Sequence, residues 1–181
     1  RIIVQVEKVA NRKHLLELKP KTLIIDASEQ PIERPVKRQQ NYYSGKKKNT
    51  IKVQLIICEA SLTILSVALG KGKQHDFSLF KTSRVLLHKD SLMLGDSGYQ
   101  GIEVYHKQSL IPIKKKKGCP LTATEKAKNK VLSKRRILIE NVNRRCKIFR
   151  IVKDVYRGKH KHYSLTWNLV AALVNVRYDG I

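Results

Sequence analysis

Two short apolar runs in this chain each lead into an aspartate: Thr22-Leu23-Ile24-Ile25 into Asp26, and Leu92-Met93-Leu94-Gly95 into Asp96. Both runs read as brief buried strands. Both carboxylates are therefore expected at C-terminal strand tips, where ligands collect in open α/β sheets. Two such carboxylates on neighbouring strands make a hard-oxygen site suited to Mg²⁺ or Mn²⁺, which otherwise keep water or phosphate oxygens. A third acid, Glu140, falls in the middle of a long helical pattern. Arg136, Arg144 and Lys147 share its face, while Val131, Leu138, Val142 and Phe149 fall opposite. That face offers one carboxylate and several phosphate-binding cations to a single substrate. Each acid also has a plainer reading. A strand-end Asp is often a turn former or a helix cap. A Glu with Arg at i−4 and i+4 often forms only an exposed ladder, worth roughly 0.2–0.5 kcal/mol per pair.

Acids are scarce, which makes their positions informative. The 181 residues hold 38 Lys+Arg against 14 Asp+Glu, a formal charge of +24. So large an excess repels itself and calls for a polyanion. Nucleic acid is the expected partner, because each cation that neutralises a phosphate releases counterions. From Lys107 onward there are 20 Lys+Arg and 4 Asp+Glu, so the second half is the stronger DNA-facing candidate. A hydrophobic share of 41% excludes a disordered tail. No apolar run approaches the roughly 18 residues of a membrane span, and no signal peptide is recognised, so no membrane partner is expected. Cys58, Cys119 and Cys146 are far apart and show no disulfide or zinc spacing, which fits a reducing cytoplasm. The chain starts at Arg1, and reads as a fragment, a processed product or the second part of a split reading frame.

The elements that must position these acids follow from periodicity. Residues 1–20 read as a short helical remnant or linker ending at Pro20, and residues 21–181 as one domain. After the run ending at Asp26, residues 27–50 read as a polar, basic loop. Ile51–Cys58 and Leu62–Leu69 form a predicted hairpin. His75–His88 has helical spacing, Leu92–Asp96 is a strand, and Leu110–Ile113 is a fifth strand before the Lys114–Lys117 run. Thr122 and Glu125 form a capping box for a helix reaching Val152, and a last helix spans about Leu165–Arg177. Three strands followed by alternation predict an α/β fold with a mixed sheet and helices on its faces.

Several segments resemble a known family. Leu23 to Pro35 and Tyr42-Tyr43-Ser44-Gly45-Lys46-Lys47-Lys48 are similar to the first catalytic segment of bacterial insertion-sequence DDE transposases of the IS-five-like group. Gly95-Asp96-Ser97-Gly98-Tyr99-Gln100-Gly101 resembles the second, G-D-x-G-Y-x-G, and His75-Asp76 after a glycine-rich turn also looks like the family. In the third, Y-x₂-R-x₃-E-x₆-K, Arg136, Glu140 and Lys147 match in identity and spacing, while Ser133 stands at the tyrosine position. The resemblance runs from about residue 22 to residue 178. It implies a ribonuclease H-like five-stranded mixed sheet flanked by helices. Asp26, Asp96 and Glu140 would be a catalytic, metal-binding triad holding two Mg²⁺ or Mn²⁺ ions. Asp26 would bridge the ions, and Arg136 and Lys147 would hold phosphate. The implied partners are the element's terminal repeats and target DNA, with a homodimer acting on paired ends at the nucleoid.

Other residues weigh less. Arg144, Lys46, Lys47, Lys48, Lys114, Lys115, Lys116 and Lys117 read as cations tracking a DNA backbone, against a plain solvated surface. Tyr42 and Tyr43 read as base stackers or as packing. His75-Asp76 reads as a helix cap in preference to a neighbour of the metals. His160-Lys161-His162 reads as exposed, and Trp167 as core. Two other functions compete with strand cleavage and transfer. One is a decayed or truncated remnant that only binds DNA, suggested by the lack of a clear helix-turn-helix before Pro20. The other is a general nuclease on the same fold.

Overall fold

The first strand, β1 (Thr22–Pro31), is twice as long as its apolar run. In this computed structural model, which describes residues 19–115 and 118–178, β1 pairs antiparallel with β2 (Thr50–Cys58) from Leu23↔Cys58 to Pro31↔Thr50. The stretch Ala27–Gln30 is strand because its backbone ladder with β2 continues unbroken past the apolar run to Pro31↔Thr50. The loop expected over residues 27–50 therefore begins only after Pro31. Asp26 is the fifth residue of a ten-residue strand, not a strand tip. The helix expected over residues 1–20 lies, except for Lys19 and Pro20, outside the described residues.

Strand β2 turns into β3 (Ile64–Lys71) as the predicted hairpin. Beyond β1 lie two short parallel strands, β4 (Leu92–Leu94) and β5 (Ser109–Leu110), giving the order β3-β2-β1-β4-β5. The fifth strand ends earlier than its apolar pattern. Pro112 has no N–H for a ladder, and the Ile113 backbone pairs with the Asn129 side chain instead (3.0 Å for both its N–H and its carbonyl).

Helix α1 (Asp76–Ser83) is shorter than expected because Arg84 takes a left-handed conformation (φ 49°) and ends it. Helix α2 (Ala123–Cys146) opens with the predicted capping box at Thr122 and Glu125. It stops before Val152. Phe149 is drawn against the core in an extended conformation, and a separate turn, α3 (Arg150–Lys153), follows. The last helix, α4 (Tyr163–Tyr178), lies where expected.

Alternation along β1 sorts side chains to two cores. Ile24, with Val53, Leu55, Ile57 and Leu94, packs under α2, α3 and α4. Leu23 and Ile25, with Ile56 and Met93, pack under α1 and the loops around Tyr99 and Ile102. The fold is α/β, a five-stranded mixed sheet flanked by helices, the ribonuclease H-like architecture. Trp167 is fully buried in α4.

Two buried amides tie the last helix to the sheet. Gln30 Nε2 donates to the carbonyls of Ile151 and Asp154 (both 2.8 Å), and its Oε1 accepts from Tyr163 Oη (2.5 Å) and Trp167 Nε1 (3.4 Å). Asn175 exchanges two hydrogen bonds with the Ile64 backbone, at 2.8 and 2.9 Å. The Gln30→Met substitution keeps most of the volume and orphans these partners. At roughly 1 kcal/mol for each of the four lost bonds it is expected to cost about 4 kcal/mol, against about 1 kcal/mol for Thr122→Ala at the α2 cap. Equilibrium urea unfolding of the two variants measures this ranking.

Candidate active site

Past Ile24, β1 continues on the face that looks toward α2, so Asp26 points there too. Ile24 is paired in register with Leu94 of the parallel strand β4. Asp26 and Asp96 each lie two residues beyond that pair, so they leave adjacent strands at matching heights. Adjacent strands run about 4.8 Å apart. Strand β4 has ended by then, and Asp96 caps a turn of 3₁₀ helix over Ser97–Tyr99, its Oδ1 accepting from the Gly98 N–H at 2.7 Å.

Helix α2 closes the site from above. Asn143 Nδ2 donates to Asp26 Oδ2 at 3.2 Å, and Arg136 Nη2 lies 3.8 Å from Asp26 Oδ1. These residues are seven apart, two helical turns, and so lie on one face. Beside them, Arg136 Nε and Asn143 Oδ1 are buried with no hydrogen-bond partner among the described residues. Glu140 is exposed on α2 between them. The buried stripe of α2 is Ile139, Val142, Asn143 and Cys146, not one running through Val131, which is 59% exposed. In the first half of α2, Leu132 packs against the core while Val131 beside it stays exposed.

Burial pushes the Asp26 carboxyl up to about 6. Arg136 opposes this, Asp96 adds to it, the Ala27 N–H opposes it, and Glu140 adds to it. Asp96 and Glu140 are thus both close enough for their charges to act on Asp26. Among the described residues, no three His, Cys, Asp or Glu side chains converge closely enough to hold a metal ion. The structure couples the three acids electrostatically without closing them around one point.

The remaining cations are dispersed. Lys147 is the C-cap of α2, and Arg144 is exposed. Lys46, Lys47 and Lys48 are exposed at the tip of a tight turn closed by Ser44 and Lys48, with Lys47 at φ 56°. Lys114 and Lys115 are exposed just after Ile113, clasped to α2 by Asn129; Lys116 and Lys117 lie outside the described residues. Along α2, Asn129 is 11 residues from Glu140, roughly 16 Å at 1.5 Å per residue. Tyr42 is half-buried with its ring 5.3 Å from that of His160, and Tyr43 is exposed. His160 and His162 are exposed, as expected. His75 sits at the N-cap of α1 without a side-chain cap bond, so the capping role expected of it is not made.

Sequence reasoning missed Asn143. Its signal was a polar residue in the apolar stripe of a helix, seven positions after Arg136. It also undervalued Asp76, whose Oδ1 lies 2.7 Å from Lys52 Nζ.

The raised Asp26 carboxyl carries a pH signature. The folded state holds this proton more tightly than the unfolded chain, whose aspartate titrates near 3.8. Metal-free stability should therefore fall as pH rises from about 4 to about 6, by at most about 3 kcal/mol at 1.36 kcal/mol per unit. Removing the charge with Asp26→Asn should flatten this dependence, raising the melting temperature at pH 7.5 and leaving it nearly unchanged at pH 4. Thermal melts at the two pH values measure it; an equal pH dependence in both proteins contradicts it.

Residues 25–175 match a family described as DDE superfamily endonuclease. The chain is 42% identical over 167 residues to a protein of Microchaete diplosiphon described as "Probable transposase for insertion sequence element IS702". That alignment covers 91% of this chain and 60% of the relative, so the chain spans less than two thirds of the relative's length. No solved structure matches. Among the described residues, no helix is long and apolar enough to cross a membrane. With the match reaching from β1 into α4, this chain belongs to the DDE superfamily endonuclease family.

Proposed function

We propose that this chain is the catalytic core of an insertion-sequence transposase, which cleaves DNA at the element's ends and joins it to target DNA. By this reading residues 21–181 are that core, and residues 1–20 are a remnant or linker. The observation that carries this reading is the β1–β4 register, which sets Asp26 and Asp96 at matching heights beneath the helix that bears Glu140.

The donor set suits a hard divalent cation. It offers the Asp26 and Asp96 carboxylates, a buried Asn143 Oδ1 with no hydrogen-bond partner among the described residues, and an Asp26 carboxyl whose proton a cation would displace. Asp26, Asp96 and Glu140 would hold Mg²⁺ or Mn²⁺, two ions by this reading, with Asp26 shared. The chemistry such ions would supply there is activation of a water or 3′-hydroxyl and charge stabilisation on the leaving oxygen of a phosphodiester. Arg136 balances the Asp26 charge and, with Arg144 and Lys147, offers cations to the phosphates flanking the scissile bond. By this reading Lys46–Lys48 and the Lys114–Lys117 run track the DNA backbone. A homodimer on paired ends, at the nucleoid, completes the proposal.

A second reading is a DNA-holding remnant without chemistry. It is favoured by the absence, among the described residues, of three ligands closed around one point. Strand cleavage separates the two. Under the first reading Asp96→Asn reduces Mn²⁺-dependent cleavage of element-end DNA by at least about 100-fold, with DNA affinity within about twofold of wild type. Equal activity in the two proteins rejects it. Under either reading, DNA affinity falls with salt. Lys114→Gln with Lys115→Gln lowers the log–log slope by about 2, at roughly 0.9 for each phosphate no longer neutralised. Fluorescence anisotropy titrations at several salt concentrations measure that slope.

A further inference from the structure

One largely buried ion pair takes no part in the proposed chemistry, and it stands directly behind Asp96. Asp76 is the first residue of α1, and Lys52 lies on β2. Lys52 Nζ and Asp76 Oδ1 are 2.7 Å apart, with side chains only 12% and 24% exposed. Gly98 fills the gap between Asp76 and Asp96. A Cβ added to it would lie 2.7 Å from Asp76 Oδ2 and 2.9 Å from Asp96 Oδ1, so one of the two carboxylates would have to shift. The Gly98 N–H is the group that holds Asp96 Oδ1. The next residue, Tyr99, is fully buried, and its hydroxyl donates to Gln54 Oε1 at 3.4 Å.

We infer that Asp76, clamped by Lys52, is a positioning residue for Asp96: it walls the Gly98 turn from behind and so fixes the carboxylate that the turn's N–H holds. Asp76 acts through the Gly98 backbone, and Lys52 keeps a second buried carboxylate from repelling Asp96 outright. Removing one member of such a pair leaves the other charge buried and unpaired, so the turn should loosen from either side. The Tyr99 hydroxyl, raised first by burial and then by Asp76, Asp26 and Asp96, senses the same group of charges.

This inference rests on the metal-binding reading of Asp96, and its test separates the two. Asp76→Ala and Lys52→Met are compared with wild type by amide hydrogen exchange without metal, and by Mn²⁺ titration. The expected result is at least tenfold faster exchange at the Gly98 amide. The Met93 amide, bonded to the Gln108 carbonyl in the sheet, serves as a control for the fold and should be unchanged. Mn²⁺ affinity should fall about tenfold in both variants. If Asp76→Ala also loosens Met93, Lys52→Met decides. A folded variant with wild-type Gly98 exchange overturns the positioning role. A wild-type protein that binds no Mn²⁺ rejects the metal reading alone, and the Gly98 exchange still decides whether Asp76 and Lys52 position Asp96.

Discussion

Strand β1 carries two neighbours of opposite sense, and that arrangement constrains the rest of the molecule. Its antiparallel ladder with β2 fixes which residues of Thr22–Pro31 face each core, since a slip of one residue would turn Asp26 away from α2. Its short parallel pairing with β4 then determines where Asp96 leaves the sheet. Neither aspartate is placed by its own preferences. Asp26 is carried inward by the apolar residues that precede it and retained there with a desolvated carboxyl.

The electrostatics follow from that burial. In a chain with a charge of +24, a carboxylate would ordinarily be drawn to its ionised form. Asp26 departs from this because desolvation outweighs the nearby Arg136 and because Asp96 and Glu140 add like charge. The excess cations meanwhile lie outside: on the exposed half of α2, on the Lys46–Lys48 turn and after Ile113. Asp26 is therefore a desolvated carboxyl set among largely solvated cations.

What was legible in the sequence was local. The β2–β3 hairpin, the Thr122 cap, the last helix and the buried Trp167 follow from alternation, capping chemistry and 3.6-residue spacing, all contained in short windows. The length of β1 was not legible, because Ala27–Gln30 is polar and becomes strand only through its partner. The break at Cys146 was hidden for a related reason: Phe149 leaves the helix to reach a core assembled from distant segments. Of the site, Asp26, Asp96 and Glu140 stood out by scarcity and motif. Asn143 did not, since nothing in its own neighbourhood shows that it meets a residue 117 positions earlier.

Gln30 has a consequence for the order in which the molecule assembles. Its four hydrogen bonds reach residues 121 to 137 positions downstream. Pairings of such separation demand a large loop-closure entropy before they return anything. During synthesis, the end of the first strand emerges long before the segments that satisfy its buried amide. The Gln30 amide is therefore fully satisfied only once Trp167 has been made, after Asp26, Asp96 and Glu140. The first strand is thus among the earliest parts of the described fold to be made and the last to have its buried polar group satisfied.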